Sequence, residues 1–215
     1  LSGARHRDQP SCVAYLGAPF RELDASTGMN KRAMQPFTFI YLGSLSANYD
    51  LETLIRAAAI MQQNGCNFRV LIAGMGPHED SLRGLSRELA LESVLEFRGY
   101  LTYDKVVSLL GKSDCGLNPI LPECWCAMPN KVADYFGAGL PVINSIPGEL
   151  SELIRKNDAG AYYQAGNVES LARVMSEYVI RPEIAERQAP NARRVGEDLF
   201  KRETTYVGLA QFIEG

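Results

Sequence analysis

The 215-residue sequence predicts a single α/β domain in which helices cover both faces of a doubly wound parallel sheet. Short segments that are apolar on both faces recur along the chain, which is typical of strands buried in a parallel sheet. Longer amphipathic segments of helical period alternate with them, as strand–helix units do. The composition, with 46% hydrophobic and 22% charged residues, suffices for one substantial core.

The predicted strands are rich in β-branched and aromatic residues. In chain order they are Cys12–Gly17, Phe37–Gly43, Phe68–Gly74, Val94–Tyr100, Cys115–Ile120 and Pro141–Ile146, with a weaker seventh at Gly160–Ala165. Ligands of such sheets bind at the carboxyl ends of the strands, where the chain order reverses. The loops that follow the strands are therefore where we look for chemistry.

The first predicted helix has apolar residues at i, i+3, i+4 and i+7 from Leu51, with Asp50 as its N-cap and Gly65 just after its end. The same periodicity predicts helices at His78–Leu91, Tyr103–Lys112, Pro129–Phe136, Gly148–Lys156 and Val168–Val179, and a last one with Tyr206, Leu209, Ala210 and Ile213 on one stripe. We thus expect a linker and first strand over residues 1–36, a ligand-binding domain over 37–199 and a C-terminal helix over 200–215.

Charge and cysteine content exclude several classes of function. A net charge of −3 gives no chain-wide basic footprint for nucleic acid, and no window of eighteen apolar residues predicts a membrane span. The five cysteines favour reduced thiols over a disulfide framework, with Cys66 and Cys115 in or beside apolar runs. Cys124 and Cys126 do not have the usual zinc spacing, so we expect no metal. The chain begins at Leu1 without a signal-peptide pattern, which suggests a piece of a longer cytosolic protein.

Glycines end three of the predicted strands. Gly43 leads toward a helix, which fits either an anion site or a tight βα turn. The run that begins at Gly74 lacks the third glycine of the dinucleotide fingerprint, where Glu79 stands, so a nicotinamide cofactor is disfavoured. We interpret it as a turn that brings backbone close to a ligand or to a neighbouring loop.

Arg98, Gly99 and Tyr100 end the fourth predicted strand. This combination can present backbone to a flat base, on which the aromatic ring or the guanidinium would stack. An arginine at a sheet edge beside a half-buried tyrosine is the alternative.

The stretch from Glu123 to Ile143 is the most informative. Pro129 marks a helix start, and Lys131, Asp134 and Tyr135 fall on one face of that helix. One interpretation is a surface Lys–Asp pair, which stabilises a helix by about 0.3 kcal/mol. The other is a diphosphate held by the helix N-terminus and Lys131, with Asp134 accepting hydrogen bonds from two ribose hydroxyls. These residues alone leave both open.

Four segments in this order carry a resemblance to a known family: FIYLGSLSANYDLETLIRAA, VLIAGMGP, LEFRGYL and MPNKVADYFGAGLPVI. They resemble the C-terminal, donor-binding half of retaining GT4-type glycosyltransferases of GT-B fold, in particular bacterial enzymes of surface-polysaccharide assembly. The resemblance covers about Cys12 to Gly215. It implies a Rossmann-like domain that binds a nucleotide-sugar donor with neither cofactor nor metal, because protein cations and a helix N-terminus neutralise the diphosphate.

The resemblance also implies site residues. Those implied for nucleotide binding are Gly43, Ser44, Arg98, Gly99, Tyr100, Asn130, Lys131 and Asp134, and those implied for the sugar are Glu123, Cys126, Ala127 and Met128. Lys131 is expected to act in catalysis by stabilising the leaving diphosphate.

The chain departs from the family pattern at three positions. Asp134 stands at the second glutamate of the family's E-x7-E motif, whereas the first glutamate falls on Cys126, with Glu123 as the nearest substitute. An arginine and a lysine that many members place after the first strand fall on Ser44 and Tyr49. Phosphate neutralisation therefore rests more heavily on Lys131 and on backbone amides.

By resemblance, the function is transfer of a hexose or N-acetylhexosamine from a nucleotide-diphosphate sugar, which we expect to be a UDP-sugar, to a glycan or lipid-linked acceptor. The family retains anomeric configuration, with front-face attack and the leaving phosphate as base. We expect the acceptor site in an N-terminal domain outside this chain, so that the chain alone binds nucleotide without transferring sugar. The full-length protein would lie in the cytoplasm, or peripherally at the inner face of the membrane.

Two alternatives remain open. A nucleotide-sugar 2-epimerase has the same architecture, but the two histidines of this chain, His6 and His78, fit it poorly. A non-catalytic nucleotide-sugar-binding module is favoured by Cys126 at the position of the first motif glutamate.

Overall fold

A six-stranded parallel sheet forms the centre of the fold. We obtained a computed structural model that describes residues 15, 17–20, 23, 35–124 and 128–214, except the side chains of 208, 209 and 212–214. The strands are β1 Phe37–Leu42, β2 Phe68–Ala73, β3 Leu95–Gly99, β4 Cys115–Asn118, β5 Val142–Asn144 and β6 Gly160–Tyr162. Their order is β3-β2-β1-β4-β5-β6, and all neighbours are parallel.

Helices connect the strands and cover both faces of the sheet. They are α1 Leu51–Gln63, α2 Glu79–Glu88, α3 Tyr103–Leu110, α4 Lys131–Gly137, α5 Glu149–Asn157, α6 Val168–Ile180, α7 Glu183–Leu199 and α8 Arg202–Glu214. The predicted α/β class is confirmed, as are six of the predicted strands, including the weaker one at β6. Most of the first predicted strand, Cys12–Gly17, lies outside the described residues.

The sheet separates two apolar layers. On β1, Phe39 and Tyr41 pack toward α1 and α6, whereas Ile40 and Leu42 pack toward α4 and α5. Successive side chains of a strand point to opposite faces, so a strand that is apolar at every position serves both layers. Every residue of β1 is buried.

The helix α7 was not predicted. Pro190 interrupts its hydrogen-bond ladder, and the segment is polar enough to resemble a loop. Tertiary packing overrides these local signals, because Ile184, Ala192 and Val195 are buried and α7 packs against α4.

The ends of α1 confirm one sequence expectation and correct another. Gly65 follows the helix with a φ of +71°, as a residue after a helix end does. Asp50 precedes the helix, but its side chain does not cap it. Its carboxylate instead accepts a hydrogen bond of 2.9 Å from the amide of Gly166, and this bond ties the start of α1 to the loop before α6.

The strand order reverses between β1 and β4, and ligands of such sheets bind at this switch point. Two loops meet there. Tyr49 forms an antiparallel bridge with Ile120, and the amide of Asp50 donates to the carbonyl of Pro119 at 3.2 Å. The loop after β1 is therefore fixed against the loop after β4, beside the start of α4. Across the described ranges, no helix combines the length and apolarity needed to cross a bilayer.

Candidate functional site

A cleft of about 400 Å³ opens at the carboxyl end of β1, facing the start of α4. Its lining residues are Leu42, Gly43, Tyr49, Met128, Pro129, Asn130, Lys131 and Asp134. Five residues of the sequence-predicted site thus come together here, namely Gly43, Met128, Asn130, Lys131 and Asp134. We call this the main cleft.

Lys131 supplies a buried positive charge to the main cleft. The residue is 8% exposed, and its Nζ lies 4.1 Å from the ring centroid of Tyr41 and 3.9 Å from that of Tyr49. Aromatic faces attract a cation without neutralising it, which offsets part of the cost of burying the ammonium. A Cβ built on Gly43 would lie 3.1 Å from this Nζ, so glycine keeps the strand end close to the charge.

Asp134 is largely buried one helical turn further on. Its Oδ1 accepts a hydrogen bond of 3.0 Å from the hydroxyl of Tyr103. Burial raises the pKa of Asp134 above the ordinary aspartate value, while the Tyr103 hydrogen bond and the positive charge of Arg202 act in the opposite direction. Lys131 and Asp134 are therefore not the exposed ion pair of the simpler sequence interpretation.

Tyr135 has a structural role and does not line the main cleft. It is fully buried, accepts a hydrogen bond of 2.8 Å from the amide of Leu42, and donates one of 3.2 Å to the carbonyl of Leu117. A Cβ on Gly116 would lie 2.6 Å from the Tyr135 ring. Of the three residues whose spacing puts them on one helix face, Lys131 and Asp134 line the main cleft, whereas Tyr135 anchors α4 to the ends of β1 and β4.

The loops after β1 and β2 are in direct contact. The amide of Gly43 donates to the carbonyl of Ala73 at 3.0 Å, and a Cβ on Gly74 would lie 1.7 Å from the carbonyl oxygen of Gly43. The turn at Gly74 thus approaches a neighbouring loop, one of the two alternatives predicted for it. Within the described residues, the amide of Ser44 donates no hydrogen bond, and Ser44 is exposed beside the cleft.

The predicted base-binding segment lies one loop further along the same sheet edge. The carbonyl of Gly99 accepts a hydrogen bond of 2.9 Å from the amide of Gly74, which connects this segment to the loop that contacts Gly43. Arg98 pairs with Glu96 at 2.7 Å on the edge strand β3. Tyr100 is 74% exposed, so the half-buried tyrosine of the alternative interpretation is wrong, while its sheet-edge arginine is found. None of Arg98, Gly99 and Tyr100 lines the main cleft.

The residues predicted for the sugar are only partly described. Met128 lines the main cleft and Glu123 is exposed in the preceding turn. Cys126 and Ala127 lie outside the described residues. Asn130 is exposed at the start of α4, and it makes no side-chain cap. Because α4 has only seven residues, Lys131 is a stronger source of positive potential than its N-terminus.

Cys115 is buried in β4 and Cys66 is half-buried just after α1, and both were predicted to lie in or beside apolar segments. In the part of the chain that the structure describes, no three metal-ligating side chains come together.

Sequence reasoning missed the aromatic residues around the two charged groups. Tyr41 and Tyr49 were assigned no role around Lys131, and Tyr103 was expected only at a helix start. A second cleft, of about 250 Å³, adjoins the main cleft and is lined by Gly17, Ala18, Tyr103, Asn130, Ala133, Asp134, Arg202 and Tyr206. Asn130 and Asp134 line both clefts. Hydroxyls and rings that meet across 31 residues or more leave no spacing signal in a single sequence.

Comparison with known proteins identifies similar sequences. The family model described as glycosyl transferases group 1 matches residues 26–195. The putative colanic acid biosynthesis glycosyltransferase WcaL of Escherichia coli (strain K12) is 25% identical over 151 residues, which are 69% of this chain and 37% of WcaL. The amylovoran biosynthesis glycosyltransferase AmsK of Erwinia amylovora is 26% identical over 188 residues, 84% of this chain and 45% of AmsK. The chain therefore spans less than half the length of these relatives.

Solved structures share the fold at lower identity. Anabaena Alr3699/HepE, in complex with UDP and glucose, is similar with a TM-score of 0.77 and 18% identity, over 95% of this chain and 56% of that protein. WaaG, a glycosyltransferase involved in lipopolysaccharide biosynthesis, is similar with a TM-score of 0.69 and 19% identity, over 90% of this chain and 51% of WaaG.

Proposed function

The chain belongs to the group 1 glycosyltransferases, and we propose that its main cleft binds the diphosphate and ribose of a nucleotide-sugar donor. One observation carries this proposal: the buried ammonium of Lys131 and the largely buried carboxylate of Asp134 line the same cleft, at the switch point of the sheet. A diphosphate needs positive charge, and ribose hydroxyls need a strong acceptor. The cleft offers both within one turn of α4.

In this proposal Lys131 balances the charge of the diphosphate. Its ammonium lies over the rings of Tyr41 and Tyr49, and its attraction for the leaving group would grow as negative charge develops there. Lys131 is then the catalytic residue of this half of the site. Backbone amides of the loop after Gly43, beginning with that of Ser44, would donate hydrogen bonds to phosphate oxygens. Asn130 would contact the nucleotide from the start of α4.

Asp134 would accept hydrogen bonds from the ribose. An ionised carboxylate has roughly four acceptor positions, and the hydroxyl of Tyr103 occupies one of them. Enough remain for two ribose hydroxyls. The base would extend toward Arg98, Gly99 and Tyr100, because the contacts of Gly99 with Gly74 and of Gly74 with Gly43 make these loops one continuous edge. The sugar would lie toward Glu123, Cys126, Ala127 and Met128.

We propose a retaining transfer of the GT4 type, in which a hexose or N-acetylhexosamine passes from a UDP-sugar to a glycan or lipid-linked acceptor in surface-polysaccharide synthesis. The names of the relatives, which refer to colanic acid and amylovoran, support the pathway class. UDP in the Alr3699/HepE structure supports the donor class. The acceptor would be bound by a further domain of the longer enzyme, at the cytoplasmic side of the membrane.

A panel of nucleotides tests this function without a known acceptor. Thermal unfolding would be followed with UDP, GDP, ADP and uridine at increasing concentration. A ligand at a hundredfold excess over its Kd adds about 2.7 kcal/mol to the free energy of unfolding, which raises the melting temperature measurably. We expect the largest rise with UDP and a smaller one with uridine. No rise with any nucleoside diphosphate would contradict the proposal.

A further inference from the structure

We infer that Tyr103 is a positioning residue of the donor site, whose hydroxyl holds the Asp134 carboxylate in the orientation that accepts the ribose hydroxyls. The inference rests on the proposed function, since it presumes that Asp134 contacts ribose. Tyr103 stands on α3 and lines the second cleft, not the main cleft, and its hydroxyl should have a measurable effect on nucleotide binding.

Geometry places Asp134 in the wall between two clefts. Asp134 lines the main cleft beside Lys131 and also lines the second cleft, whereas Tyr103 lines only the second. The Tyr103 hydroxyl donates to Oδ1 of Asp134 at 3.0 Å from the second-cleft side. Tyr103 therefore bonds the carboxylate from the second cleft, and the ribose would approach Asp134 from the main cleft.

The hydrogen bond joins two helices of the fold. Tyr103 is the first residue of α3, and Asp134 lies in the middle of α4. The rotation of α4 is fixed by Tyr135, whose hydroxyl bonds the backbone of Leu42 and Leu117. A carboxylate that stands on an anchored helix and accepts a hydrogen bond from a second helix loses little freedom when a ligand binds, and such preorganisation favours affinity.

The hydrogen bond also favours the charged form of Asp134. Burial opposes ionisation, while the Tyr103 hydroxyl from α3 and the Arg202 guanidinium from α8 promote it. The other titratable groups nearby are Tyr206 of α8, which lines the second cleft, and Lys131 and Tyr135 on α4 itself. Removal of the Tyr103 hydroxyl should therefore raise the pKa of Asp134 further.

The first test is Tyr103→Phe, which keeps the ring and removes the donor. Calorimetric titration with UDP should give about fivefold weaker binding near neutral pH, as expected for one hydrogen bond. UDP affinity should fall at low pH as Asp134 takes up a proton. In the variant this fall, the acid limb of the affinity profile, should move to higher pH, because the pKa of Asp134 rises. The ionisation of UDP itself cancels when variant and parent are compared at each pH. Tyr206→Phe is the matched control, since within the described residues its hydroxyl makes no hydrogen bond, and it should change neither quantity.

The second test repeats Tyr103→Phe in an Asp134→Asn background. If Tyr103 acts through the carboxylate, its effect on UDP affinity should fall below about twofold there and lose its pH dependence. An equal loss in both backgrounds, or an unmoved acid limb, would reduce Tyr103 to a packing residue and overturn the inference. The pH comparison decides alone where the Asp134→Asn protein binds too weakly to titrate. Unchanged UDP affinity in Asp134→Asn by itself would instead refute the ribose assignment of the proposed function.

Discussion

Lys131 sets the charge of the main cleft, and its burial gives a clear prediction. Lys131→Met keeps the apolar stem and removes the ammonium. Affinity for UDP should fall by about 1.5–3 kcal/mol, as for the loss of a charged hydrogen-bond partner, whereas affinity for uridine should change little. The free energy of unfolding should not fall, because a buried ammonium is costly to keep. Calorimetry with both ligands and urea denaturation measure these quantities.

Lys105→Met is the control for that experiment, since Lys105 is exposed on α3. It should leave UDP binding unchanged. Should Lys131→Met weaken UDP and uridine to the same extent, Lys131 would be a structural residue of the cleft wall.

For Asp134→Asn we predict opposite effects on UDP binding and on the free energy of unfolding. Its folded-state pKa is raised, so its favourable contribution to folding is present below the unfolded pKa, about 3.9, and is lost as pH rises through the folded value. Asp134→Asn cannot ionise and avoids this loss. At pH 7.5 the variant should bind UDP more weakly yet gain stability relative to its parent, and the gain should shrink toward pH 4. Urea denaturation at both pH values checks it, and a variant that is less stable at both contradicts this account.

At the scale of elements, the contact between the loops after β1 and β2 holds the strand ends that line the main cleft. Gly74 has a φ of +150°, and a Cβ there would lie 1.7 Å from the carbonyl oxygen of Gly43. Gly74→Ala should therefore lower the free energy of unfolding by about 2 kcal/mol or more and weaken UDP binding. Gly84→Ala is the control, because a Cβ at that helical position has nothing within 4 Å and should add about 0.5–1 kcal/mol of stability. Equal melting temperatures for the two variants would refute the loop contact.

The elements also show what a single sequence can and cannot predict. The central strand β1 was predictable because it is apolar at every position and buried on both faces of a parallel sheet, whereas the edge strands β3 and β6 are only partly buried. The helix α7 was not, because Pro190 and the polar surface are local signals that the packing of Ile184 and Val195 overrides. The partner of Asp50 was not predictable either. Asp50 was expected to cap α1, but it bonds Gly166, which is 116 residues away in the sequence.

At the scale of the whole molecule, the position of the site was predictable and its chemistry only partly so. The alternation of strands and helices locates the ligand site at the carboxyl ends of the strands, and five predicted residues do line one cleft there. The burial of Lys131 over two rings, and the hold of Tyr103 on Asp134, depend on how distant elements pack. Periodicity carries no information on such contacts.

The most direct test of the central claim is a crystal structure of this chain with UDP. We predict that the diphosphate lies in the main cleft within ion-pair distance of Lys131 Nζ, and that both ribose hydroxyls donate to Asp134 while Tyr103 keeps its bond to Oδ1. The uracil should extend toward Gly99 and Tyr100. UDP bound elsewhere, for example in the cleft lined by Ile60 of α1 and Ala172 of α6, with Lys131 and Asp134 out of contact, would contradict the account.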